Sequence, residues 1–425
     1  MRRLILVSIL VLMFSFAANA VKLSMYVGDE HMAKVMKEVT AVYVKEHPDV
    51  EFDIIALPYY SGFMQKVSLS IMSGDVPDLI QVTTAYAPQV KEYLINLAPY
   101  IEKDLGITPK DYLNSILDVT SVYMTQGDEI KLVPLEFTIT GIWINKKMFE
   151  KAGIKYPPTG GRSDPWTWEE FKDILAKVKK ANRIPYALSY DYSADRFFNY
   201  LALWNIKVLD DDLNFVMDQY PDAAKAVEEF INLFEKNLIP RAEWLSGQSA
   251  QQDFFGGRTA VYWSGSWQCD NALDIMKETG KEFDVAYVPM IKDWFGVPGG
   301  SFLGAFKTGN KEKEAEAIKF IMWMAQKDKG YLEFLKDGLY LTAYKNHVVD
   351  YGIPEFNKWA NEVFSKLGER APVWTAITRA NVIWSKLYDV VRKQIALGIT
   401  GEVTAEEIVK NLRSEYEKIK SEASK

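Results

Sequence analysis

The chain has 425 residues, a formal net charge of −7, 48% apolar and 13% aromatic residues, and one cysteine. The acidic balance argues against nucleic acid or an anionic membrane surface as partner, since both repel a negative protein. Lone Cys269 excludes an internal disulfide, and the histidines His31, His47 and His347 are too scattered for metal-ligand spacing, so neither a metal site nor a cofactor is expected.

The first twenty residues form a targeting segment by pattern. Met1-Arg2-Arg3 is basic, Leu4 to Ala17 is apolar, and "AANA" at Ala17–Ala20 supplies small residues for cleavage after Ala20. The apolar run is shorter than the roughly 20 residues that span a bilayer, so it is not an anchor. No cysteine stands just past it, so a lipid-modified start is not expected. The chain beyond it is expected to be exported and free of membrane insertion, and its length favours two domains.

"KLSMYVGDE" (Lys22–Glu30) then reads as a buried strand ending in a Gly-Asp loop. Met32, Val35, Met36 and Val39 follow at helical spacing, and "VEFDIIA" (Val50–Ala56) reads as a second strand. Strand, helix and strand with short joins make the βαβ unit of a parallel sheet. A helix over Gly62–Ser73, stopped by Gly74, leads to the strand "DLIQV" (Asp78–Val82). Strand-like runs near Lys131–Asn145 and Asp284–Phe306 separate blocks that read as helical, so the chain is expected to cross between two lobes more than once.

In the middle third, Thr167 and Glu170 make a capping box for a helix whose apolar stripe is Phe171, Ile174, Leu175 and Val178. A helix is expected from Asp222 to about Lys236, and a strand over "KEFDVAYVP" (Lys281–Pro289). Ile318, Ile321, Met322 and Ala325 mark another helix. A last helix, capped by Thr404 and Glu407, carries Val409, Leu412, Tyr416 and Ile419.

Four stretches in sequence order carry a family resemblance: "SIMSGDVPDLIQV" (Ser70–Val82), "LVPLEFTITGIWINKKMFEKAGI" (Leu132–Ile154) with the following Pro-Pro and "TWEEF", "FFGGRTAVYWSGSW" (Phe254–Trp267), and "VPGGSFLGAFKTGNKEKEAEAIKFIMWM" (Val297–Met324). Together they resemble the extracellular solute-binding proteins of ABC importers, family 1, the group that includes maltodextrin-binding protein. The resemblance implies an α/β fold of the periplasmic-binding-protein type II, with two α/β lobes, several hinge crossings and a ligand cleft. The lobes expected are 21–140 with 297–345, and 141–296 with 346–425, after a signal peptide over 1–20. It also implies capture rather than catalysis: a monomeric periplasmic protein binding a carbohydrate or cyclic polyol and delivering it to the transmembrane subunits of an ABC permease. Two other readings stay open, a phosphorylated polyol such as glycerol 3-phosphate, and a secreted glycoside hydrolase using Glu136 with Asp195.

Candidate ligand contacts follow from the matching positions. Asp29 and Glu30 follow the first strand, where Asp29 either grips hydroxyls or caps the next helix. Thr84 and Tyr86 follow "DLIQV". Glu136 and Thr138 are polar residues in an apolar segment, and a buried Glu136 needs either a ligand or a basic partner. Asp195, Arg196 and Asn199 lie at the second-lobe helix entry. Trp267 looks like the family's stacking residue, Gly300 and Ser301 open the returning strand, and Trp384 is either a second aromatic contact or helix packing. Arg379 is the other arginine in a plausible position, while Tyr262 and Trp263 are expected to be packed.

Overall fold

The computed structural model describes residues 20–58 and 62–423. The expected signal peptide falls on residues 1–19, outside the described residues, apart from Ala20. The first elements in chain order are β1 (Val21–Gly28), α1 (Glu30–Glu46), β2 (Val50–Leu57), α2 (Phe63–Ser73) and β3 (Leu79–Thr83). A short hairpin, β4 (Thr125–Gln126) and β5 (Glu129–Ile130), precedes the long β6 (Val133–Asn145). Then come α3 (Trp168–Asn182), β7 (Leu188–Tyr190), α4 (Ala194–Leu203), α5 (Ala223–Glu235), α6 (Ala250–Gly256), β8 (Val261–Gly265) and β9 (Phe283–Ala286). The chain ends with β10 (Pro298–Ala305), α7 (Lys311–Met324), α8 (Gly330–Gly338), α9 (Val382–Thr400) and α10 (Ala405–Ala423).

The chain divides into two compact units. The first runs to Glu136 and takes back Gly300–His347; the second is Phe137–Gly299 with Val348–Lys425. The polypeptide therefore passes between them three times, once within β6 and once within β10.

In the first unit the strand order is β2-β1-β3-β10, with β1 parallel to β2 and β3, and β10 antiparallel to β3. Leu23, Met25 and Val27 of β1 are fully buried, as a central strand requires. Over this sheet α1 buries Met32, Val35, Met36, Val39 and Tyr43, the stripe read from spacing. Gly74 ends α2 in the left-handed conformation at φ 74°, where a Cβ would be strained. Asp78, buried at the entry to β3, accepts from the backbone and hydroxyl of Ser24 (2.8 and 2.9 Å) and pairs with Lys313 of α7 (3.0 Å). One carboxylate thus pins strand to strand and helix to sheet.

In the second unit the order is β9-β6-β8-β7; β6 is antiparallel to both neighbours, and β7 and β8 are parallel. The capping box opens α3: the Glu170 N–H donates to Thr167 Oγ1 (3.2 Å) and the Thr167 N–H to Glu170 Oε2 (2.9 Å). Its buried residues are Trp168, Phe171, Leu175 and Val178, with Ile174 only half-buried. Trp168 shifts the apolar face by about one position. The helix expected from Asp222 forms, but Asp222 offers no side-chain cap and pairs with Lys292 at 2.7 Å instead. The three-residue strand β7 is too short to leave a periodic signature.

Of the twelve tryptophans, Trp267, Trp294 and Trp374 are half-buried and the others are core. The aromatic surplus is therefore mostly packing, which leaves few exposed indoles to consider for binding. Among the described residues no helix is long and apolar enough to cross a membrane.

Candidate functional site

In the first unit, the strand directions bring the C-terminal ends of β1 and β3 and the N-terminal end of β10 to one sheet edge. In open α/β sheets, ligands bind outside strand C-termini. Asp29 sits there with φ 40°; its N–H donates to the Leu57 carbonyl (3.1 Å) and its Oδ1 accepts the Met32 N–H (2.9 Å). The capping role weighed for Asp29 is thus real and engages one carboxylate oxygen. Glu30 is exposed in the first turn of α1. Thr84 is buried and its N–H donates to the Gly300 carbonyl (3.1 Å), while Ser301 lies opposite Thr83 in the β3–β10 register. Tyr86 stacks on Phe63, centroids 5.2 Å apart and nearly coplanar at 10°.

Glu136, on β6, is buried beside these residues. Burial pushes its carboxyl up to about 8, the Ser301 hydroxyl opposes that rise, and the charge of Asp29 adds to it. No basic side chain is among the groups that shift it. The first unit therefore gathers Asp29, Glu136 and Ser301. Tyr331, which sequence reasoning missed, joins them: its deprotonation is disfavoured first by burial and, in smaller part, by Glu136. Its hydroxyl accepts the Ala343 N–H at 2.6 Å.

In the second unit, β7 and β8 end at the edge from which β6 arrives, with Thr140 opposite Gly265. Thr138 is half-buried there. After β8 a single 3-10 turn, Ser266–Gln268, presents Trp267. The indole lies against Gly265, where an added Cβ would stand 2.1 Å from the ring and 2.6 Å from the Ile139 carbonyl. The missing side chain thus makes room for the protein's own tryptophan. Arg196, in the first turn of α4, lays its guanidinium over the Trp267 ring at 4.1 Å from the centroid.

Asp191, immediately after β7, was not anticipated. It accepts from Tyr262 Oη (2.6 Å) and Ser264 Oγ (3.4 Å) and stands 3.7 Å from Arg196 Nε, an ion pair too long for a hydrogen bond. Burial raises its carboxyl, opposed by Arg196 and then by the two hydroxyls. Tyr262 is packed, as expected, but its hydroxyl belongs to this cluster. Only the fold reveals this, because Tyr262 is 71 residues away in sequence.

Asp195 forms a second pair. It accepts from Arg379 Nε (2.8 Å) and Trp384 Nε1 (3.1 Å), and although burial pushes its carboxyl up, Arg379 reverses the shift to a net lowering. Arg379 also donates to the Pro298 carbonyl. Trp384 is 3% exposed and packs on Phe198 at 5.0 Å, so it takes the packing role of the two considered. Asn199 is 0% exposed; its oxygen accepts from Thr140 and Trp263 (2.9 Å each) and its nitrogen donates to the Phe295 carbonyl (3.3 Å). It ties α4 to the sheet and leaves no atom exposed for a ligand. Among the described residues no cluster of three or more His, Cys, Asp or Glu is placed to hold a metal.

Over residues 28–330 the chain matches the family model of bacterial extracellular solute-binding proteins. The multiple sugar-binding protein of Streptococcus mutans is 23% identical over 309 residues, covering 69% of each chain. Among solved structures, an ABC substrate-binding protein of Listeria monocytogenes in complex with cycloalternan superposes with a TM-score of 0.78 at 18% identity, covering 95% of this chain and 100% of that one. Maltose-bound MalE3 of T. maritima gives 0.75 at 20% identity, covering 94% and 99%. A ribitol complex of an ABC transporter solute-binding protein from Agrobacterium radiobacter K84 gives 0.76 at 16%, covering 94% and 99%. The fold is that of the type II periplasmic binding proteins, and the chain belongs to the bacterial extracellular solute-binding protein family.

Proposed function

We propose that the protein captures an uncharged carbohydrate, a mono- or oligosaccharide or a cyclic polyol, and delivers it unaltered to the permease of an ABC importer. One observation carries the choice of ligand class. Each arginine at the second-unit edge is matched by its own carboxylate, Arg196 by Asp191 and Arg379 by Asp195. A phosphorylated polyol needs unmatched cations, and this edge offers none of these arginines free for it. What the edge does offer is a half-buried indole with hydroxyls and carboxylates around it, suited to a ring with apolar faces and a hydroxylated rim. The sugars and polyol bound by the relatives and structural neighbours support the same class.

Within the first unit the candidate contacts in this reading are Asp29, Glu136 and Ser301, and within the second they are Thr138, Arg196 and Trp267. The hydrolase alternative needs the Asp195 carboxylate available beside a sugar bond, and Asp195 is instead bound by Arg379 and Trp384, which gives it a structural role. Export follows from the leader at Met1–Ala20, and a free periplasmic form from the missing lipid-attachment cysteine. The test is a thermal-shift panel of sugars, polyols and glycerol 3-phosphate. One neutral series should raise the melting temperature, since a ligand at 100 times its Kd stabilises the folded form by about 2.7 kcal/mol. A shift with glycerol 3-phosphate alone defeats the reading.

A further inference from the structure

The turn that presents Trp267 is held by a closed circuit of side chains. Gln268 Nε2 donates to Tyr262 Oη (3.3 Å), Tyr262 Oη donates to Asp191 (2.6 Å), Asp191 faces Arg196 (3.7 Å), and Arg196 lies over Trp267, the neighbour of Gln268. Tyr262 and Gln268 are buried, so Asp191 is anchored from below and cannot swing away from the guanidinium without losing that anchor. A guanidinium beside an indole, left without a counter-charge, is a receptor for phosphate or carboxylate. Here a fixed carboxylate occupies that role and repels any further anion approaching the same donors.

We propose that Asp191 is the charge selector of this site: by matching Arg196 it makes the Trp267 platform accept uncharged hydroxylated rings and turn away phosphorylated ones. The inference rests on the reading above that Trp267 faces the ligand, and it assigns to one residue the exclusion of anions. Asp191 acts through Arg196 and is a positioning residue in this sense.

The experiment is calorimetric titration of wild type, Asp191→Asn and the double variant Asp191→Asn/Arg196→Ala with glycerol 3-phosphate and inorganic phosphate at low ionic strength. The single variant should bind at least one phosphate probe about tenfold or more tightly than wild type, and added salt should weaken that binding. The double variant should lose the gain. A folded Asp191→Asn protein with no gain overturns the proposal, as does a gain that survives in the double variant. Tyr262→Phe, which removes the anchoring hydroxyl, should give a smaller gain in the same direction; should Asp191→Asn not fold, the absence of that gain is decisive against the proposal. Maltose and ribitol, titrated separately, test saccharide capture. Their failure counts against the proposed function, while the phosphate arm alone decides the role of Asp191.

Discussion

Trp267 keeps its orientation because position 265 has no side chain. A methyl group there would meet the indole at 2.1 Å and a backbone carbonyl at 2.6 Å, so both the ring and the strand backbone must shift. Gly265→Ala should therefore weaken carbohydrate binding about as much as Trp267→Ala, tenfold or more by calorimetry, and lower the melting temperature of the free protein more than Trp267→Ala does. Wild-type affinity in both variants would remove Trp267 from the ligand. The tryptophan and its glycine were legible in the sequence as a motif. Asp191 was not, because its partners Tyr262, Ser264 and Arg196 come from three different segments that only the sheet register brings together.

Glu243 gives a second test at this scale. It is 1% exposed, accepts the Tyr190 N–H (2.8 Å) at the end of β7, and neighbours Asp253. Burial chiefly, and Asp253 in part, push its carboxyl up to about 9 against the Tyr190 and Ser189 bonds. The folded protein thus holds a proton that the unfolded chain releases above its ordinary value of 4.5, so this site makes stability fall as pH rises between 4.5 and about 9. Glu243→Gln mimics the protonated acid. Its melting temperature should gain on wild type steadily from pH 5 to 9, and a difference independent of pH would contradict the protonated state.

Among the elements, those with local determinants were readable and those defined by their neighbours were not. The capping box of α3 needs only Thr167 and Glu170, three residues apart, and both bonds form. Thr167→Ala should cost about 1 kcal/mol in denaturant unfolding of the second unit, and no change would mean the box is offset elsewhere. The start of α5 was placed within a residue, and Asp222 at that start pairs with Lys292, 70 residues on, in place of capping through its side chain. Strand β7 has three residues and exists through its pairing with β8. Trp384 and Asn199 lie on well-formed helices, but which helical face meets the core depends on packing partners that spacing does not name.

For the whole molecule, chain length and the strand-like runs set between helical blocks pointed to two lobes linked by more than one passage of chain, and the chain passes three times between its two units. That much follows from patterning, since each βαβ run must bury its own apolar face. Ligand class is harder to read, because it depends on whether arginines are matched by carboxylates, and pairs such as Arg379 with Asp195 join residues 184 apart. The most direct test of the central claim is calorimetric titration of the mature protein with neutral saccharides and polyols, glycerol 3-phosphate serving as the rival ligand. The account predicts saturable one-to-one heat from a single neutral series and the ligand recovered unchanged. Heat from glycerol 3-phosphate with none from any neutral ligand would contradict it.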